Sequence, residues 1–166
     1  VGQRRVGTRH TREGITQEVV VVDYHGDHKR QEAEKRKLLK AHLRSVLSAS
    51  ADNKVLAFVR EKHFADTLAA QMVDAGFQGA SMHGGKDQDE RLRTLERFRK
   101  GEVRLLVATD VIGRGIDIPS VSHVVIFEMG SIDDYVHRIG RTARGKDGRG
   151  HALVFFEYWH RDPFVA

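Results

Sequence analysis

The 166-residue chain contains no cysteine. Disulfides are therefore excluded, no thiolate is available as nucleophile or metal ligand, and the composition fits a reducing compartment. There are only two prolines, Pro119 and Pro163, both outside the apolar runs, and one tryptophan. Aromatic residues make up 7% of the chain, and most of the eight phenylalanines sit inside apolar runs. Single-strand recognition by base stacking needs aromatic platforms on a surface, so that mode is disfavoured. No apolar run approaches the roughly 18 residues a membrane span needs. The opening "VGQRRVGTRHTREG" lacks the apolar core of a signal peptide. No membrane partner is expected. Several catalytic signatures are missing too. G-x-x-x-x-G-K-[ST] has no match, H-E-x-x-H and G-x-S-x-G are absent, and the ten histidines form no plausible metal cluster.

What is present is charge, mostly positive. Charged residues make up 31% and apolar residues 40%, ordinary for a globular domain of this length. The net charge of +5 and a sequence pI of about 9.7 point to an anionic partner. The excess is uneven: residues 1–12 carry Arg4, Arg5, Arg9 and Arg12 with no acid. Residues 1–15 therefore read as a basic arm, either a disordered linker or a nucleic-acid contact. The chain begins at Val1 rather than Met and reads as a fragment of something longer.

Along the remainder, strand-like and helix-like segments alternate. "TQEVVVVDY" (16–24) is a β-branched strand, and "KRQEAEKRKLLKAHLRSVLSA" (29–49) a helix with a charged start. "KVLAFV" (54–59) is a short continuous apolar run, as in a strand buried on both faces. "HFADTLAAQMVDAG" (63–76) repeats Phe64, Leu68 and Met72 and stops at Gly76; "DQDERLRTLERFRKG" (87–101) ends at Gly101. "GASMH", "VRLLVAT" (103–109), "SHVVIFE" (122–128) and "HALVFFE" (151–157) read as strands, with "SIDDYVHRIGRTA" a helix between the last two. This alternation predicts an α/β domain with a mainly parallel central sheet and right-handed crossovers.

Ligands in such a sheet bind at the carboxyl ends of the strands, so the residues just after each apolar run matter most. They are "HGGKDQDER", "TDVIGRGIDIP" and "EMGSIDDYVHRIGRTARG", which combine glycines with cations or hydroxyls. Glycine lets the main chain approach a phosphate, and arginine adds a permanently charged fork. Taken singly, "HGG" is also an ordinary turn before a helix cap, "TDVIGRGID" a plain strand-to-helix turn, and an arginine-rich helix a solvated face. Gly140 argues against the last. An interior helical glycine costs about 1 kcal/mol relative to alanine, so something besides helix stability set it among Arg138, Arg141 and Arg144.

In this order and spacing the segments resemble the C-terminal RecA-like domain of DEAD-box ATP-dependent RNA helicases, over about residues 16–157. "VLAFV" is similar to motif IV, "HGGKDQDER" to the segment with a Gln-x-x-Arg signature, "LLVATDVIGRGIDIP" to motif V and "YVHRIGRTARG" to motif VI. "VGTR" and "HGGKDQDER" also resemble the Abstrakt-like branch. Ala143 stands for a commoner glycine, Ile112 and Gly113 for the usual Ala-Ser, and the "GKDGRG" loop is about one residue longer than usual. The resemblance implies a RecA-like three-layer sandwich, with the helicase domain at 16–160 and residues 161–166 beginning a C-terminal extension.

It also implies roles. Arg141 and Arg144 would act as arginine fingers toward the γ-phosphate of ATP. His137 and Arg138 would bind an acidic motif of an N-terminal RecA-like domain and couple hydrolysis to RNA. Asp117 would accept a hydrogen bond from the ribose, with Gly115 beside it. Thr109, Gly84, Gly85, Gln88, Arg91 and Arg114 would meet RNA phosphates and 2′-hydroxyls. ATP would carry Mg²⁺ held by the N-terminal domain, and no metal site belongs to this chain. RNA, that preceding P-loop domain and protein cofactors are the implied partners of an intracellular monomer, nuclear or cytoplasmic. The isolated 166 residues are expected to be inactive. Two rivals remain: a lobe of a DNA-directed superfamily 2 helicase, and a catalytically silent RecA-like docking module.

Overall fold

A computed structural model describes residues 3–10, 14–109, 121–129 and 149–157. In chain order the elements are β1 (Gln3–His10), β2 (Ile15–Val22), α1 (His28–Ala49), β3 (Val55–Phe58), α2 (Lys62–Asp74), β4 (Gly79–Met82), α3 (Gln88–Lys100), β5 (Leu105–Ala108), β6 (His123–Ile126) and β7 (Gly150–Glu157). They form one seven-stranded sheet in the order β1-β2-β7-β6-β3-β5-β4. Every pairing from β2 to β4 across the sheet is parallel, as the alternating sequence predicts.

The short apolar runs are strands because they are covered on both faces. All four residues of β3 and of β5 are buried. Alternation sends Val55, Ala57 and Val59 into a core with Leu39 and Leu43 of α1 and Leu68 and Met72 of α2. Leu56 and Phe58 go the other way, to Leu95 and Phe98 of α3. That is the three-layer arrangement.

Local chemistry sets the helix ends. The Asp27 carboxylate caps α1 by accepting from Arg30 N–H at 3.2 Å, and Asp87 caps α3 by accepting from Glu90 N–H at 2.8 Å. α2 closes with Gly76 at φ +98°, where Gly76 N–H reaches Val73 O at 2.9 Å and Phe77 N–H reaches Met72 O at 3.0 Å. That pair of bonds needs a left-handed residue, which glycine supplies without a Cβ clash.

The amino-terminal segment departs from its composition. Gln3–His10 form β1, antiparallel to β2, with a register shift between Arg5 and Gly7. Main-chain pairing with β2, to which arginine content is blind, decides this. The helix predicted over "SIDDYVHRIGRTA" and the extension at 161–166 lie outside the described residues.

The charged start of α1 is not wholly solvated. Lys35 is buried and pairs with Glu157 at the end of β7, its ammonium 4.8 Å from the centre of the Phe127 ring. Gln31 donates to Val22 O at 3.3 Å, so two polar side chains fasten α1 to the carboxyl ends of β2 and β7.

At the opposite end of these strands three histidines meet. His123 stacks on His151 at 4.9 Å between ring centres, and His42 of α1 lies edge-on to His123 at 6.2 Å. Burial, reinforced by the neighbouring His151, lowers His42 and His123 to about 4 each. The unfolded chain binds these protons near pH 6.5 while the folded one resists them, so this contribution to stability is lost as pH falls from 6.5 toward 4. Urea unfolding between pH 7 and pH 4.5 should show stability declining with acid, by up to about 1.4 kcal/mol per pH unit from His42 and less from the more exposed, better screened His123. His42→Gln should flatten the decline; an unchanged slope would remove the histidine cluster as its source.

Candidate nucleic-acid and nucleotide interface

Because β2 to β7 run the same way, their carboxyl ends share one rim. β5 and β4 are neighbours, and Thr109 N–H donates to Met82 O at 3.3 Å, joining the residue after β5 to the end of β4. Thr109 is buried, and its hydroxyl has no hydrogen-bond partner among the described residues. A buried, unsatisfied hydroxyl costs stability unless a ligand or water meets it.

The turn after β4 holds Gly84 and Gly85, both exposed, and α3 begins at Gln88, also exposed. Arg91 lies on the first turns of α3, half-buried, and its Nε is buried without a hydrogen-bond partner among the described residues. Thr109, Gly84, Gly85, Gln88 and Arg91 thus gather at the β4–β5 end of the rim. Arg114, Gly115, Asp117, His137, Arg138, Arg141 and Arg144 lie outside the described residues. In the sequence they follow β5 and β6, which flank β3 on either side.

Sequence reasoning missed the anchor of the glycine turn. His83 is buried, and its Nδ1 accepts from Gly85 N–H at 3.1 Å. The ring proton of the neutral form therefore sits on Nε2, which donates to Asp66 of α2 at 2.9 Å. Ser81 Oγ–H donates to the same carboxylate oxygen, and the Lys86 ammonium stands 4.0 Å away. Burial would raise the Asp66 pKa, but the bonds from Ser81 and His83 and the nearby cations outweigh it and hold the carboxyl below its ordinary value. A Cβ on Gly85 would fall 3.1 Å from His83 Nδ1, so the turn closes tightly over the ring. Asp66 looks like an ordinary exposed helix residue in sequence; only the packing of α2 beside β4 gives it this role.

A second anchor joins β3 and β6. Arg60 N–H donates to Glu128 Oε1 at 3.0 Å, and the Arg60 guanidinium lies 3.6 Å from Glu128 Oε2. Among the described residues no group of three or more His, Asp or Glu side chains could hold a metal ion, and no helix is long and apolar enough to cross a membrane.

A mainly parallel sheet between helical layers is the architecture of a RecA-like lobe. Residues 34–146 match the family model of the helicase conserved C-terminal domain. The ATP-dependent RNA helicase DBP2 of Candida albicans is 41% identical over 157 residues, covering 94% of this chain and 26% of the relative. The crystal structure of the yeast DEAD-box splicing factor Prp28 superposes with a TM-score of 0.71 at 32% identity, covering 93% of this chain and 32% of that one. A variant of S. cerevisiae Dbp5 bound to RNA and ADP–BeF3 gives a TM-score of 0.63 at 32% identity, covering 77% and 33%. The chain belongs to the helicase conserved C-terminal domain family, in its DEAD-box form. It spans about a quarter of the length of the DBP2 relative, 26%.

Asp66→Ala should leave the buried His83 N–H unpaired and destabilise the fold by about 1–2 kcal/mol. Amide exchange at Gly85 should accelerate more than exchange in β5. Urea unfolding and hydrogen exchange check both; equal acceleration throughout would mean the loss is global and the turn has no local anchor here.

Proposed function

We propose that this chain is the second lobe of an RNA-dependent ATPase that unwinds short RNA duplexes, facing a preceding P-loop lobe across a cleft. The observation that carries this reading is the β4–β5 end of the rim. There the buried Thr109 hydroxyl lies by an anchored glycine turn and the Arg91 Nε, and neither has a hydrogen-bond partner among the described residues. Donors of this kind suit phosphate oxygens and sugar hydroxyls rather than base edges, so recognition would be largely independent of sequence. The Candida relative is named an RNA helicase and the Dbp5 structure holds RNA, which favours RNA over DNA as the strand bound. Gly84, Gly85, Gln88 and Arg114 would complete the strand contacts. Such an enzyme would work as a monomer inside the cell, in nucleus or cytoplasm, with protein cofactors.

The lobe has no P-loop, so it would supply only half of an ATP site. ATP would arrive with Mg²⁺ held by the preceding lobe. Asp117 would receive the ribose hydroxyl with Gly115 beside it, and Arg141 and Arg144 would place guanidinium groups against the charge that develops on the γ-phosphate. His137 and Arg138 would hold the acidic motif of the other lobe, and Gly140 would let the two lobes approach closely.

Two measurements on the full-length protein test this. Arg144→Lys should lower kcat on the order of 10³-fold while changing ATP binding far less, because lysine keeps the charge but loses the fork. Turnover near that of the unmodified enzyme would remove the finger role. In the ATP-bound state, RNA affinity should fall with salt. Arg91→Ala should reduce the slope of log K against log salt by about 0.7, the value for one single-strand phosphate contact. Poly-U and mixed-sequence RNA should weaken equally; selective loss of one sequence would show base readout instead.

A further inference from the structure

The two edges of the sheet are finished differently. β1 covers the outer edge of β2, whereas β4 is the opposite edge, and no described strand lies beyond it. Leu105 N–H and Thr109 N–H donate to the carbonyls of Gln78 and Met82, so those residues turn their main chain toward β5. Strand alternation therefore turns the main chain of Gly79 and Ser81 outward. The Gly79 N–H is taken by Phe77 O at 3.1 Å, which leaves the Gly79 carbonyl and both main-chain groups of Ser81 facing away from the sheet.

These groups lie at the floor of a groove of about 500 Å³ walled by α2 on one side and α3 on the other. The α2 wall presents Ala70, Val73 and Asp74; the α3 wall presents Arg93, Arg97 and Glu90, the last 3.7 Å from the Lys86 ammonium. Val73 is 48% exposed, one of two large apolar side chains so exposed among the described residues. Asp74 and Arg93 have no ionic partner among the described residues, and Arg97 makes only an exposed contact with Glu102 at 3.6 Å.

We propose that the outer edge of β4 accepts an extended, alternately acidic peptide segment of a partner protein as an added strand. Only a main chain can complete a strand edge, which makes the occupant polypeptide. Successive side chains of a strand point to opposite faces. Those toward α3 meet Arg93 and Arg97 and are carboxylates; those toward α2 meet Val73 and Asp74 and are apolar or basic. RNA has no main-chain N–H and C=O ladder to complete the edge, and since Lys86 lies 4.0 Å from Asp66 and 3.7 Å from Glu90, Arg93 and Arg97 are the groove's cations left for the occupant's carboxylates. Nor do the charges act as edge guards on the strand itself, since Gly79–Met82 carries none.

The test uses the full-length protein and a fluorescein-labelled peptide, Glu-Val-Glu-Val-Glu-Lys, followed by anisotropy. Saturable binding is expected, at least tenfold tighter than for the same peptide with lysine in place of glutamate. N-methylating the glutamate amides or the valine amides should abolish binding in one case and spare it in the other, since an added strand uses one edge. Arg93→Glu with Arg97→Glu should weaken the acidic peptide at least tenfold and bind the lysine peptide in its place, with Tm unchanged. Equal effects of the two N-methylation patterns, indifference to the Arg93 and Arg97 changes, or no saturation at millimolar peptide would each overturn the proposal. So would displacement by single-stranded RNA of equal charge, or a dimer in sedimentation that the peptide does not dissociate.

Discussion

The common direction of β2 to β7 is the constraint on which this lobe depends. Parallel neighbours cannot be joined by a tight turn, so each connection crosses a face of the sheet, and the strands become buried on both sides. The described helices make those crossings, α1 and α2 on one face and α3 on the other. The same direction puts every strand's carboxyl end on one rim. Thr109, the glycine turn after β4, Arg60 after β3 and Glu128 after β6 are neighbours there because of strand direction, although they are far apart in the chain.

A rim of this kind has to hold polar groups in place without satisfying all of them. The structure does so by fastening the side chains behind the rim. Asp66 gathers Ser81 and His83, and His83 in turn holds Gly85 N–H. Lys35, which would be costly to bury alone, is matched by Glu157 and the face of Phe127. In front of these anchors, the Thr109 hydroxyl and Arg91 Nε have no hydrogen-bond partner among the described residues. The neutral histidines His42 and His123 sit at the amino ends of the strands, so the proton-sensitive part of the fold lies away from the rim.

The sheet's two ends show how little of an edge can be read from its own residues. β1 is rich in arginine, yet it is a paired strand. β4 is four small or apolar residues, uncharged, and it is the open edge between two helices of mixed charge. Edge protection and edge availability are settled by what packs alongside.

Much was legible in the chain itself. Continuous apolar runs such as "VLAFV" and "LLVA" marked strands buried on both faces, because no alternating run could survive two apolar layers. Asp87 and Gly101 bracketed α3, and Gly76 ended α2, since caps act within a few residues. The motif order pointed to the family, and the loops after each strand marked where to look for the site. What required tertiary structure was every relation between distant positions. Asp66 to His83, Lys35 to Glu157, Arg60 to Glu128, and the stacking of His123 on His151 depend on which helix lies over which strand and in what register. Sequence periodicity fixes which face of an element is apolar. It carries no information about which polar partner waits on the neighbouring element, because a hydrogen bond or ion pair is decided by position in space.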